Sequence, residues 1–386
     1  MLNDKNIIVY GFGITGKWLS SEIKAKFIVD TDIKKWGDTF GGIEVKSPDA
    51  LKTLNPNTDI VVVTVVDIFD VLPLLDHYGV KWISLAELLS NGYEISKNTT
   101  SESNDFLRYS IDTVLSCQRA YLKKSSFYLR SVDLVITEKC TLKCKDCANL
   151  MQFYEMPENY SSKDILDGII GLSERADFIH EVRVIGGEPF LNKEIYEIIH
   201  RIALIDNIHK IVIYTNGMIP PKEEEIKNFN KNKILFSITD YAELGRNLDK
   251  TVLILDKYSL PYRVHPPEHW TDSGKILEKP WITLEAKDVF AKCCGKNLYT
   301  LIGEDLYRCP FAANADKLRA IPKHASNSIN VLSSVGDIKD FAYGIDYIDA
   351  CKLCPGRSFD SPIIKPAVQV KKSIVYRKFP IVLTEG

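Results

Sequence analysis

From Val132 onward the chain repeats a single pattern, a short apolar strand followed by a helix-length stretch, with few residues between them. The strand segments are DLVIT (133–137), EVRVI (181–185), KIVIY (210–214), ILFSI (234–238) and YRVH (262–265). Helical spacing of apolar residues marks roughly 162–175, 193–204, 222–229 and 246–257 between them. A run of βα units of this kind makes a parallel sheet or a complete or partial βα barrel, whose chemistry gathers where the strands end. After about Val289 the pattern changes to a hairpin-like segment, NLYTLIGEDLYRC, and then to a loop-rich region with cysteines, which predicts a separate C-terminal module.

The N-terminal part is a second α/β unit. A buried strand, NIIVY (6–10), runs into Gly11-Phe12-Gly13-Ile14-Thr15-Gly16, a helix to about Lys24, and a strand ending at Asp30. DIVVVTVV (59–66), a helix through Leu75 and KWISL (81–85) complete a doubly wound, Rossmann-like unit of four strands. In this context Gly11, Gly13 and Gly16 are expected to bring phosphate oxygens to amides at the helix N-terminus. Asp30 is expected to accept ribose hydroxyls. A holder for the nucleotide part of a substrate, a vestigial scaffold and an NAD site all stay open. FGGIEVKSPDAL (40–51) resembles Rossmann-like domains attached to sugar-modifying enzymes. The polar stretch NGYEISKNTTSESND (91–105) reads as a linker, and Phe106 to Lys124 as a bridging helix. The predicted organisation is therefore 1–90 Rossmann-like, 91–130 linker and helix, 131–288 barrel and 289–386 C-terminal module.

The chain has 386 residues, 45% of them hydrophobic, enough for two or three cores. Its 49 basic and 51 acidic residues are intermixed, with a net charge of −2. That balance leaves no electrostatic footprint for nucleic acid or an anionic membrane, so a small-molecule or peptide partner is expected. The start, MLNDKNIIVY, has neither a basic n-region nor an apolar h-region, and no apolar run approaches a membrane span. A cytoplasmic location is expected. There the nine cysteines, an odd set clustered in two groups, favour metal ligation over disulfides.

The first group is Cys140-x3-Cys144-x2-Cys147, directly after the first barrel strand. Three thiolates ligate three irons of a [4Fe–4S] cluster and leave the fourth open to a chelating ligand. A structural zinc normally wants four ligands, although a zinc knuckle or unligated thiols stay open. Lys143 and Lys145 add positive charge beside an anionic cluster. Later strands end in Gly186-Gly187-Glu188-Pro189, Thr215-Asn216-Gly217, Ser237-Ile238-Thr239-Asp240 and His265-Pro266-Pro267-Glu268-His269.

Over residues 132–285 this arrangement resembles the radical S-adenosylmethionine (SAM) superfamily. The resemblance implies that Cys140, Cys144 and Cys147 hold the SAM-cleaving cluster. It also implies that Gly186, Gly187, Glu188 and Pro189 line the SAM site, the glycines letting backbone approach the ligand. Asn216 and Ser237 are further candidates for the SAM carboxylate or ribose, or else ordinary loop residues. The family usually has an aromatic residue where this chain has Asp146, so adenine contacts are expected from Phe153 or Tyr154. His265, Glu268 and His269 lie at a strand end where a base fits.

The second group, Cys294-x14-Cys309-x41-Cys351-x2-Cys354, supplies four thiols. Four cysteines close a metal site completely, as a zinc or as a cluster. With Gly303, Pro310 and the segment GEDLYRCP, the region resembles the auxiliary-cluster module called twitch, a relative of the SPASM domain. Cys294 is taken as the ligand and its neighbour Cys293 as a possible hydrogen donor or a spare buried thiol. The resemblance implies two [4Fe–4S] clusters, SAM, and an electron donor such as flavodoxin or ferredoxin. It further implies a 5′-deoxyadenosyl radical that abstracts a substrate hydrogen, and a twitch relative oxidises a carbinol of an aminocyclitol. The expected reaction is carbinol oxidation or epimerisation of a sugar or polyol, nucleotide-linked by the first reading. The alternatives are a maturase of ribosomal peptides and, from another class, a non-catalytic zinc-stabilised nucleotide-binding protein.

Overall fold

The computed structural model describes residues 5–90, 92, 94, 103–123, 126–267, 270–358 and 361–380. Most of the expected linker, and the candidate bases Glu268 and His269, lie outside them. The chain divides into two compact units, Met1–Tyr128 and Leu129–Gly386.

The first unit is a six-stranded sheet made of β1 (Asn6–Tyr10), β2 (Ala25–Val29), β3 (Thr39–Phe40), β4 (Ile43–Lys46), β5 (Asp59–Val63) and β6 (Trp82–Ser84), in the order β3-β4-β2-β1-β5-β6. All pairs are parallel except β3–β4. Winding outward from β1 on both sides is the doubly wound arrangement. Two strands go beyond the four expected. They sit within TFGGIEVK (39–46), where Gly41 and Gly42 both have positive φ and form the tight turn a two-residue hairpin requires.

The helix Asn104–Leu122 belongs to this unit and does not serve as a bridge. Its buried Leu107, Ile111, Val114 and Leu115 share a core with Val9, Trp18 and Leu19. Gln118 pins it, accepting from the Ala86 amide at 3.0 Å and donating to the carbonyls of Val63 and Val65 at 2.9 Å each.

The second unit holds β7 (Tyr128–Thr137), β8 (Phe178–Gly186), β9 (Ile208–Thr215), β10 (Ile234–Thr239), β11 (Tyr262–His265), β12 (Tyr299–Ile302), β13 (Asp305–Tyr307) and β14 (Ser328–Asn330). The sheet order is β11-β10-β9-β8-β7-β12-β13-β14. The pairs β8–β9, β9–β10 and β10–β11 are parallel, as the βα repeat demands. β12 also pairs in parallel with β7 before turning at Gly303 into the antiparallel β13. The C-terminal region thus continues the barrel sheet, and the expected seam at residues 288/289 is absent from the compact units. Its helices and turns bury a core of their own, in which Phe290, Tyr307, Phe311, Leu318, Ile348 and Leu353 pack with Phe153 and Tyr154. Among the described residues no helix is long and apolar enough to cross a membrane.

Candidate active site and metal centres

At the end of β7 the chain enters the loop that carries Cys140, Cys144 and Cys147, and all three line one cavity of about 270 Å³. The other walls are the ends of the next strands: Gly186 and Gly187 after β8, Tyr214 to Asn216 on β9, and Thr239 and Tyr241 after β10. A parallel sheet puts these ends on one side, which is why segments far apart in sequence meet here.

Gly186 and Gly187 reach the cavity, but their need for glycine arises behind it. A Cβ on Gly186 would lie 2.3 Å from the Thr137 carbonyl oxygen, and one on Gly187 2.2 Å from that of Lys139. The glycines let β8 pack against the base of the cysteine loop, and the amides of Gly187 and Glu188 donate to those same two carbonyls. This packing is a reason for glycine in addition to the ligand approach expected of the pair.

Glu188 is 0% exposed and lies off the cavity wall. Its carboxylate accepts from the Thr215 hydroxyl at 2.8 Å, the Asn216 amide at 2.9 Å and the Phe190 amide at 3.3 Å. It therefore ties the end of β8 to that of β9. Burial pushes its carboxyl up to about 7 against the pull of those bonds. Pro189 is buried and opens a 3₁₀ turn. Asn216 does line the cavity and donates to Thr141 Oγ1 at 2.9 Å. Ser237 does not. Its hydroxyl sits 3.2 Å from His265 Nε2.

Phe153 and Tyr154 are also displaced from their expected role. Both are buried in the apolar core, Phe153 edge-on to Tyr376 and Tyr154 donating to Asn314 Oδ1 at 3.0 Å. The aromatic surface of the cavity comes instead from Tyr214, Tyr241 and Trp270, the last two packed edge to face at 6.3 Å. Tyr241 follows a strand end already marked as polar, whereas nothing local in the sequence singles out Trp270.

The cysteine loop suits a soft-metal cofactor. Burial raises the Cys140 thiol, opposed by a bond from the Leu142 amide. It raises Cys147 against the amides of Met151, Asn149 and Leu150. Cys144 is pushed up to about 11 by burial, against a bond from Gln369. Buried thiols of this kind give up their protons when a metal takes their place. Among the described residues no three His, Cys, Asp or Glu side chains are spaced to hold a single metal ion.

In the second group Cys309 caps the helix Pro310–Lys317, with Sγ accepting from the Ala312 amide at 3.4 Å. Cys354 Sγ accepts from the Gly356 amide at 3.4 Å, and Cys351 is buried in the apolar core. Burial is the main force raising all three thiols, taking Cys309 and Cys351 to about 12. Charge on Cys293 acts on each of the three, whereas the charged neighbours of Cys294 are Arg357 and Cys293. Cys293 thus stands beside Cys294 as a candidate for the fourth ligand, its Sγ accepting from the Gly295 amide at 3.3 Å much as Cys354 Sγ does from that of Gly356. Cys293 has extended backbone as it leaves the helix Thr283–Lys292. Successive side chains there point to opposite sides, so only one of two adjacent thiols faces the group. Cys294 is left beside Arg357, whose side of the chain lines the first cavity.

In the N-terminal unit Gly11 has φ +110°, and a Cβ on Gly16 would lie 1.8 Å from the Gly11 carbonyl oxygen. The turn thus closes on itself, while Gly13 faces open space. Asp30 Oδ2 accepts from the Phe12 amide at 2.7 Å and from Lys35 Nζ at 3.2 Å, and Oδ1 from the Asp32 amide at 2.9 Å. Its carboxylate holds the glycine turn, which differs from the ribose contact expected of it.

The fold and site define a βα protein that gathers soft thiol donors at the strand ends of a parallel sheet. Residues 134–258 match the model of the Radical SAM superfamily, and the chain carries a radical SAM domain. Similar curated proteins include the GTP 3′,8-cyclase of Lactiplantibacillus plantarum, 28% identical over 35% of this chain and 42% of that one. The enzyme of the same name from Clostridium acetobutylicum is 30% identical over 32% of this chain and 41% of its own length. The chain thus spans about two fifths of the length of these relatives. Among solved structures, BtrN in complex with AdoMet and 2-DOIA aligns at 14% identity and a TM-score of 0.38, over 59% of this chain and 93% of BtrN. Streptococcus suis SuiB bound to precursor peptide SuiA aligns at 20% and 0.29, over 44% of this chain and 41% of SuiB. At these scores the likeness carries no weight.

Proposed function

We propose that the chain is an enzyme that cleaves SAM reductively and takes a hydrogen atom from a sugar or polyol, preferably nucleotide-linked, giving carbinol oxidation or epimerisation. The observation that carries this reading is the meeting of Cys140, Cys144 and Cys147 with the ends of β8, β9 and β10 around one cavity, inside a radical SAM domain. When bound, a [4Fe–4S] cluster supplies the electron that splits SAM into methionine and the 5′-deoxyadenosyl radical.

The chain's own residues hold and orient. The three thiols would hold three irons of the cluster and leave the fourth open to a chelating ligand. The backbone of Gly186 and Gly187 and the Asn216 amide offer polar contacts to SAM, and Tyr241 and Trp270 offer a face for adenine. Cys293, Cys309, Cys351 and Cys354 would close a second, twitch-like cluster. In oxidation the carbinol carbon would give up its hydrogen atom and its hydroxyl proton, and a group held by these thiols would supply the acceptor for the one remaining electron. In epimerisation a thiol would return a hydrogen atom to the opposite face, the thiyl radical left behind taking one electron from the external donor and one proton from solvent, and Cys294 beside Arg357 is the thiol left over for it. A flavodoxin or ferredoxin would supply the first electron. The relatives named GTP 3′,8-cyclase favour a second reading, cyclisation of a purine nucleotide.

Anaerobic reconstitution with iron and sulfide, followed by SAM and dithionite, tests the proposal. Iron near about eight atoms per chain, with 5′-deoxyadenosine formed and lost in Cys144→Ala, supports it, and screening nucleotide sugars against GTP then separates the two readings. Bound zinc without SAM cleavage sinks both and leaves a nucleotide-binding scaffold.

A further inference from the structure

The three thiols of the first set differ in who donates to them. Cys147 receives the amides of Met151, Asn149 and Leu150 from its own loop, and Cys140 that of Leu142, with Asn216 Nδ2 only at 4.0 Å. Cys144 Sγ accepts at 3.3 Å from Gln369 Nε2, a side chain 225 residues further along.

That amide is fixed from several directions. Gln369 Oε1 accepts from the Lys143 amide at 2.7 Å, and Nε2 also donates to the Ala367 carbonyl at 2.8 Å. The segment around it lies along the cysteine loop as a short antiparallel ladder. The Lys145 amide donates to Val368 at 2.7 Å, the Val370 amide to Lys143 at 2.8 Å, and Cys144 bridges Gln369. The ladder is anchored at both ends, by the Ile364 amide on the Trp270 carbonyl and by the Ile374 amide on that of Gln152. Ala367 packs against Leu142 and Cys144 in a small apolar cluster that leaves Cys144 7% exposed. A donor held this way stays on the sulfur through a change of charge, because reorienting it would break the ladder.

We propose that Gln369 is a positioning residue that acts through Cys144 to raise the reduction potential of the SAM-cleaving cluster. Reduction adds one electron, from an external low-potential donor, and the added negative charge spreads onto the thiolate sulfurs. An N–H dipole aimed at one of them stabilises the reduced form more than the oxidised one. The inference rests on the reading that Cys140, Cys144 and Cys147 hold a [4Fe–4S] cluster.

The test is an anaerobic redox titration with dithionite, followed by electron paramagnetic resonance, on the reconstituted full chain and its Gln369→Met and Gln369→Glu variants. Gln369→Met keeps the side chain's length without a donor, and Gln369→Glu keeps the acceptor for the Lys143 amide. With iron content unchanged, both are expected to lower the reduction equilibrium of the first cluster about tenfold, or 59 mV for a one-electron couple, while the second cluster titrates as before. First-cluster titrations that match the unaltered chain in both variants overturn the inference. So does loss of the first cluster's iron from both, which would make Gln369 a structural pin. If the unaltered chain itself binds no iron through Cys140, Cys144 and Cys147, the functional reading has failed, and this inference with it.

Discussion

Cys293 and Cys294 are adjacent and chemically identical, but the Sγ of Cys293 accepts from the Gly295 amide much as that of Cys354 does from Gly356. Cys293→Ala is therefore expected to remove about four of about eight iron atoms per chain, whereas Cys294→Ala keeps them. Equal loss in both variants, measured by iron and sulfide analysis, would refute the choice of Cys293. Gly187 gives a second residue-scale expectation. A methyl group 2.2 Å from the Lys139 carbonyl oxygen meets rigid backbone, so Gly187→Ala must push β8 and the cysteine loop apart. Overpacking of this kind costs about 1–3 kcal/mol, readable as a lowered urea midpoint together with poorer iron retention. A stability equal to that of the unaltered chain would mean the loop yields freely.

At the scale of the element, β8 carries a buried His180 in addition to its glycine end. Burial, helped by the positive neighbours His209, Lys210 and Arg130, lowers this imidazole to about 3. The folded state therefore keeps His180 neutral where the unfolded chain, with a value near 6.5, takes up a proton. Stability is unaffected by this group above pH 6.5. It falls as pH drops from there towards 3, by about 1.4 kcal/mol per pH unit from one proton. Urea titrations of the unaltered chain and His180→Phe across pH 4–7 check this, since the variant is expected to lose that part of the slope. Parallel slopes would show that His180 finds a way to charge in the fold. The helix Ser162–Ser173 gives a simpler case. Ser161 caps it by accepting from the Asp164 amide, and Ser161→Ala should cost about 1 kcal/mol in the same titration.

For the whole molecule the division into two units carries its own expectation. The N-terminal unit has its own six-stranded sheet and apolar cores on both of its faces. Residues 1–123 expressed alone are expected to unfold cooperatively by circular dichroism, and a gradual melt would show that the unit depends on the rest of the chain. Its acid sensitivity should also start lower. Burial works against ionising Asp59, but bonds from the Asn6 side chain and the Asn55 amide and the Lys26 ammonium outweigh it and hold the carboxyl at about 2. This contribution is present above the ordinary carboxylate value and is lost only as pH falls from there towards 2.

Sequence by itself determined whatever depends on neighbours along the chain. The βα alternation, the strand–glycine–helix turn at Gly11, the three-cysteine loop after β7 and the glycine pair after β8 are local patterns, written in spacing and residue type. The tertiary structure decided whatever depends on which side a residue faces and which distant segment meets it. β3 and β4 pair across two glycines too briefly to show a strand period. Phe153 and Tyr154 turn into a core that residues beyond 280 supply, and Trp270 takes up the cavity wall they were expected to form. Asp30 turns to the amide of Phe12, and extended backbone sends the adjacent thiols of Cys293 and Cys294 to opposite sides. Gln369 meets Cys144 only because a parallel sheet brings its strand ends to one place, where a late segment of the chain lies down beside an early loop.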